Sequence, residues 1–228
     1  MATTYQTVDT ATAGGTTTIT GTAPTGTTSG DTLWCVITMR ASYTITAVPS
    51  GWTLYDSIDG GGGGDPTTLI YSHPYTSGTS WNWTRSSSSG GHTVSVIRVD
   101  SDDPETVTVY SENDTGSGTS HGATGVTTVA GDLLLAIYGQ NHSSGAITWT
   151  YDGGGTEIVD THHNSGTIRV GHSIYHSSPG AGATGTITGT SSATVSGVAI
   201  LIALAQETSN NAAALYYFRQ MADRNNRT

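Results

Sequence analysis

Ser29-Gly30-Asp31-Thr32-Leu33-Trp34-Cys35-Val36-Ile37 and Ala130-Gly131-Asp132-Leu133-Leu134-Leu135-Ala136-Ile137 lie about a hundred residues apart and share one plan. A Gly-Asp turn opens a run of apolar residues that is strand-sized and bounded by turn formers, the pattern of a strand covered on both faces. The segments after each run also match. An Ile-Thr segment comes next (Ile45-Thr46; Ile147-Thr148), then a Gly turn and a Thr-led strand (Thr53-Leu54-Tyr55; Thr156-Glu157-Ile158). After these come an aromatic strand carrying His (Leu69 to His73; Ser173 to His176), a Thr-rich strand (Trp81 to Thr84; Thr186 to Thr188) and a last apolar strand (Val94 to Arg98; Val198 to Ile202). Two similar units therefore succeed one another.

Between these anchors, β-branched runs bounded by Gly, Pro, Asp and Ser predict strands at 16–20, 32–40, 43–46, 53–57, 67–73, 80–84 and 92–100. The second set falls at 106–110, 132–140, 146–150, 157–161, 167–176, 185–189 and 195–205. Turn signals at this spacing predict an all-β chain, a jelly-roll-like β-sandwich built from the two units. One double-layer sandwich is expected, because a single unit would bury little apolar area. The expected organisation is an N-terminal strand or arm at 1–24, a first unit at 25–110, a polar bridge at 111–126, a second unit at 127–206 and a C-terminal arm at 207–228. Gly60 to Gly64 reads as a hairpin tip and the bridge as a loop without its own core. In the arm, Ser209-Asn210-Asn211 caps a predicted short α-helix over 212–224. Leu215, Phe218 and Ala222 share a stripe, with Tyr217 and Met221 beside it and Arg219 and Arg224 nearby. So short a helix needs something to pack against, either its own sandwich or a neighbouring subunit.

Composition narrows the function. The 228 residues carry a net charge of −10 with only 11% charged residues, and Thr plus Ser make up roughly three in ten. All seven basic residues are Arg, which excludes a P-loop lysine and Schiff-base chemistry. Low positive charge argues against binding a phosphate backbone, and no apolar run is long enough to span a bilayer. The single Cys35 forbids an internal disulfide and reads as a small buried hydrophobe. The start of the chain lacks the basic and apolar regions of a signal peptide.

Motifs that would carry chemistry are weak. Gly118-Thr119-Ser120-His121-Gly122 matches a nucleophile elbow but has no helix after it. His172 and His176 share a strand face yet stand about 13 Å apart along it, too far for one metal, and His162-His163 point to opposite faces. Asp100 to Glu105 concentrates carboxylates without the spacing of a known calcium loop. Glu is scarce (Glu105, Glu112, Glu157, Glu207), so paired catalytic carboxylates have few candidates. Trp81 and Trp83 share a strand face, suited either to stacking on a sugar or to filling the core with Trp34, Trp52 and Trp149. The four Asn-x-Ser/Thr sequons, at Asn82, Asn113, Asn141 and Asn226, carry little information in so Ser/Thr-rich a chain. No catalytic, cofactor-binding or metal-ligating residues are expected.

The Gly-Asp openings (Gly30-Asp31, Gly131-Asp132), the Pro49 to Thr53 turn, the Trp81 to Thr84 strand and the Gly182 to Thr186 segment occur together. The combination resembles a β-sandwich type of tailed-bacteriophage virion proteins, of minor tail or head-decoration kind, also found in bacterial surface proteins. The resemblance covers roughly 1–206 and supplies no catalytic residues. It implies a virion or cell-surface architectural protein. The expectation taken from it is a virion structural protein, a capsid decoration protein bound to the major capsid or other virion proteins and to copies of itself, made in the host cytoplasm as the missing signal peptide suggests. A carbohydrate- or receptor-binding module of a tail or cell surface is the alternative, with Trp81 and Trp83 as its stacking residues.

Overall fold

A computed structural model describes residues 4–40, 43–59, 65–100, 107–142, 145–163 and 169–205. The first unit comprises β1 (Thr4–Gly14), β2 (Thr18–Thr22), β3 (Thr32–Arg40), β4 (Ile45–Ala47), β5 (Thr53–Asp59), β6 (Pro66–Pro74), β7 (Ser80–Arg85) and β8 (Gly91–Asp100). The second comprises β9 (Val107–Ala123), β10 (Thr127–Thr128), β11 (Leu133–His142), β12 (Trp149–Tyr151), β13 (Thr156–His162), β14 (Arg169–Ser177), β15 (Gly182–Ala183) and β16 (Ile187–Leu204). The chain is all-β among the described residues, and every strand pair is antiparallel. The C-terminal helix expected over 212–224, with Leu215, Tyr217, Phe218, Arg219, Met221 and Arg224, lies outside the described residues.

The repeat extends to topology. The first unit forms a sheet in the order β1-β8-β3-β6-β5 and a smaller one in the order β2-β7-β4. In the second unit the order is β9-β16-β11-β14-β13, with β12 beside the first part of β16. Here β9 takes the place of β1 and β2 together, and β16 that of β7 and β8. Gly15, at φ +71°, comes after the end of β1, and Gly90, at φ +75°, precedes β8; both conformations suit glycine. The second unit instead keeps both strands running through irregularities in register at Gly116 and between Thr190 and Val195.

Two segments depart from the expected pattern. Residues 111–126, expected to be a loop, fall largely in β9, which pairs with β16 from Val107↔Leu204 to Ala123↔Ile187. Residues 4–14, inside the expected N-terminal strand or arm at 1–24 but ahead of its predicted strand at 16–20, form β1 against β8. Both pair along one edge only, so their polar Gly/Thr-rich sequences lack the buried signature of a central strand. Pairing with a neighbour, rather than propensity, makes them strands.

Nor are there only two layers. The outward face of the first large sheet (Leu33, Cys35, Ile37, Tyr71, Val94, Val96) is covered by Ile19, Trp81 and Trp83 of the small sheet. The outward face of the second (Leu134, Ala136, Tyr138, Ala199, Leu201) is covered by Ala123, Ile147, Trp149 and Ile187. The inward faces pack on each other, with Trp34, Val36, Ile70 and Ile97 against Leu135, Ile137, Ile174 and Ile200. Each unit thus has its own core and shares a third, instead of the single core of a double-layer sandwich. Being covered on both faces explains why β3 and β11 read as continuous apolar runs.

The two large sheets stack in opposed order: β1 meets β13, β8 meets β14, β6 meets β16 and β5 meets β9. That arrangement is a pseudo-twofold, the self-complementary geometry of a symmetric dimer within one chain. The strand registers align Thr38 with Gly139 and Thr68 with His172. Around the axis His172 bonds Thr38, while Thr68 fills the space over Gly139. A Cβ on Gly139 would lie 2.1 Å from Thr68 Oγ1 and 3.0 Å from Val198 Cγ2. Gly139→Val should therefore force the sheets apart at a cost of about 1–3 kcal/mol, and Thr68→Ala should recover part of it. Urea denaturation of the two single variants and the double variant measures this; an unchanged midpoint for Gly139→Val would contradict the close approach.

Candidate functional site

A cluster of buried polar side chains lies between the two units. Thr38, Thr68, Thr93, Ser95 and His172 are all fully enclosed. His172 projects from β14 toward the first sheet, and both ring nitrogens are engaged. Nε2 is 2.7 Å from Ser95 Oγ, and Nδ1 is 3.1 Å from Thr93 Oγ1 and 3.2 Å from Thr38 Oγ1. Ser95 continues to Thr10 at 2.5 Å, and Thr38 to Thr68 at 3.1 Å. Every hydroxyl in this chain of contacts has a partner, as a buried polar network requires.

Burial sets its electrostatics. Desolvation disfavours the imidazolium and holds the His172 pKa down at about 3, so the ring is neutral at ordinary pH. Nearby, burial, then the Arg85 guanidinium and His163, hold His92 at about 4. His163 reaches from the end of β13 onto the Gly14–Gly91 pair, where a Cβ on Gly91 would lie 2.2 Å from its Cδ2. Arg85 directs its guanidinium at backbone oxygens of Thr16, Ser88, Gly90 and Gly91, and so secures the β7–β8 turn. His172 and His163 reach from the second unit onto the first, and His172, His92 and Arg85 are closed to solvent.

Trp81 and Trp83 share a face, as their spacing requires, but it is the buried one, at 8% and 0% exposure. Trp52 stacks on His73 at 5.0 Å and meets both Trp81 and Trp83 edge-on. The stacking platform expected for a glycan is thus inside the protein. The reason is the small sheet, whose inward face must cover Tyr71, Val94 and Val96. His172 and His176 do share a face, and His176 packs against the Tyr5 ring at 4.9 Å. His162 instead lies 6.0 Å from the His142 ring. Among the described residues no group of three or more His, Cys, Asp or Glu is arranged to hold a metal.

Gly118 to Gly122 is extended within β9, pairing Ser120 with Thr190, and His121 is buried beside Trp149 with Nε2 3.1 Å from Gly118 O. The sharp strand-to-helix turn of a nucleophile elbow is therefore not formed there. Cys35 is fully buried and its thiol is pushed well up by desolvation, which leaves it unreactive. Residues 101–105 of the acidic turn and residues 207–228 of the expected arm fall outside the described residues. No helix among the described residues is long and apolar enough to cross a membrane.

Sequence reasoning missed the His172 network, because its partners lie 77 to 134 residues away. It also missed two surface recesses. One, about 340 Å³, opens between Tyr43, Val48, Leu54 and Tyr71. The other, about 240 Å³, opens between Leu134, Gly153, Ser177 and Ile187. No protein-family model matches the chain, and no curated protein or solved structure is significantly similar to it.

The neutral His172 makes stability depend on pH. Its folded-state pKa lies below the ordinary 6.5, so between about 3 and 6.5 the unfolded chain holds a proton that the folded chain does not. Stability therefore rises with pH across that window and is lost as pH falls through it. His92 acts in the same sense, while Asp160, raised to about 6 by desolvation, acts in the opposite one. Replacing His172 by Asn isolates its share. Near pH 5 the slope of unfolding free energy against pH should flatten by about 1.4 kcal/mol per pH unit relative to the parent. Identical slopes would show that His172 titrates normally.

Proposed function

We propose that this chain is a structural protein of a tailed-bacteriophage virion, a decoration protein that binds the capsid surface as an oligomer. The observation that carries the reading is the fate of its polar chemistry. His172, His92, Arg85, Cys35 and the tryptophans are all taken up in packing, while the strand positions facing out carry chiefly Thr and Ser. In β2, for example, Thr18, Thr20 and Thr22 face solvent and Ile19 is enclosed. A stiff, weakly charged body of this kind suits adhesion by shape rather than turnover.

The fold supports the same reading in its finer form. The first unit has the strand order 1-8-3-6 over 2-7-4, which is the order of a jelly roll except that the fifth strand joins the sixth, and the second unit repeats 1-8-3-6 with β12 beside β16. We read the chain as two jelly-roll-like sandwiches back to back, an architecture that occurs in viral capsid and lectin domains. Fold alone does not fix function. The added support is the resemblance of the Gly-Asp openings and the Gly182 to Thr186 segment to tailed-phage virion proteins. The expected partners are the major capsid protein or other virion proteins and further copies of this chain, and the expected location is the virion. With Trp81 and Trp83 enclosed, a glycan-binding role has no stacking residues among those singled out for it.

Quantitative mass spectrometry of purified particles tests the assignment. Copy numbers comparable to the shell protein are expected. A handful of copies would move the protein to the tail, and absence from the particle would refute a virion role.

A further inference from the structure

The internal repeat allows each position of the second unit to be compared with its counterpart in the first, and two groups are missing at one end of the second sheet. In the first unit, Asp31 caps its turn by accepting from the Thr28 backbone N–H at 2.6 Å, and Arg98 Nε lies 2.8 Å from the same carboxylate. In the second unit, Asp132 likewise accepts from the Val129 N–H at 3.0 Å. The registers, however, put Ala203 where Arg98 stands: Leu33 pairs with Arg98, and Leu134 with Ala203. Asp132 is fully buried and its Oδ1 has no hydrogen-bond partner. A carboxylate oxygen enclosed in this way is costly unless compensated.

The second missing group is aromatic. Over Leu33 the first unit packs His73, Trp52 and Trp81 into one cluster. Opposite Leu134 the registers put Ser177 in place of His73, and Gly155 in place of Trp52. Beside Leu134 lies the 240 Å³ recess, lined also by Asp152, Gly153, Ser177, Pro179 and Ile187, with Asp152 Oδ1 accepting from the Thr188 N–H at 2.7 Å. A cavity of about 150 Å³ already accepts a benzene ring, so this one has room for an aromatic side chain.

The described residues end at this same place. Ala203 pairs with Leu134 of the recess, and only Leu204 and Ala205 of the described residues come after it. The next 23 residues, 206–228, contain Tyr216-Tyr217-Phe218-Arg219 as well as Arg224 and Arg227. We infer that the recess beside Leu134 is a docking site for the protein's own C-terminal segment, with an aromatic ring from 216–218 entering it and a tail arginine against the acidic groups Asp152 and Asp132. The segment supplies, next to one another, the two kinds of group that the second unit lacks. Even at helical rise, the thirteen residues from Ala205 to Phe218 span about 20 Å, enough to return to a recess one strand away from their origin. Attachment at that distance gives the segment a high effective concentration at its own recess, which favours the same chain over a second copy. The inference stands independently of the virion reading.

The test uses the full chain. Nuclear Overhauser contacts are expected from ring protons of 216–218 to the methyls of Leu134 and Ile187. They should persist when labelled protein is diluted into unlabelled protein. The chain has no Lys, so trypsin cuts only at Arg, and cleavage at Arg219 reports release of the segment. Tyr217→Ala/Phe218→Ala, which alters nothing in the sheets, should raise that cleavage rate roughly tenfold. Ser177→Trp, which fills the recess, should do the same while retaining the parent melting temperature to within a few degrees. Contacts to another surface, contacts only between copies, or cleavage rates unchanged by the tail variant would each overturn the inference.

Discussion

Everything in this molecule depends on two large sheets sharing one buried interface. A sheet whose two faces are both apolar must be covered twice, and each large sheet here is covered on one side by its own small layer and on the other by its counterpart. Removing either unit would expose Trp34, Val36 and Ile97, or Leu135, Ile137 and Ile200, to water. Burial of that surface is the largest favourable contribution available to a chain with only 11% charged residues, at roughly 25 cal/mol for each Å² of apolar area.

The interface is symmetric in backbone and asymmetric in chemistry. Where the axis passes, one side presents His172 to Thr38, Thr93 and Ser95, and the other presents Thr68 to Gly139. A polar contact on one side and a small-residue contact on the other favour one seating of the sheets, since a shift would part His172 from its hydroxyl partners and move Thr68 off the space over Gly139. The same divergence recurs at the sheet ends. Arg98 and the Trp52–His73–Trp81 cluster have become Ala203, Gly155, Ser177 and open space in the second unit. Divergence between the repeats thus produced both the contacts at the axis and the recess beside Leu134.

Much of this was legible in the sequence. The Gly-Asp turns located β3 and β11, and the echo of one unit in the other anticipated a matching strand order. The strands at 32–40 and 67–73 fell within a residue or so of their observed ends, because apolar runs bounded by turn formers leave little choice. Edge strands were another matter. Residues 4–14 and 111–123 are polar and Gly/Thr-rich, and become strands only because β8 and β16 offer them partners. For Trp81 and Trp83 the period of two showed that they share a face, but not whether that face is covered. Coverage is set by the distant Tyr71 and Val94, on strands that no local pattern connects to them. His172 was legible as a strand residue on the face of His176, yet its role arises wholly from hydroxyls in the other unit.

The central claim is that the two units meet through the inward faces of their large sheets in opposed order, and cross-unit proton contacts in the intact protein measure it most directly. Nuclear Overhauser effects should link the His172 ring to the side chains of Thr38, Thr93 and Ser95, and the His176 ring to Tyr5, as strongly as within-unit pairs such as Trp52 and His73. If the within-unit contacts appear while every cross-unit contact is missing, the units do not share a core and the account is wrong.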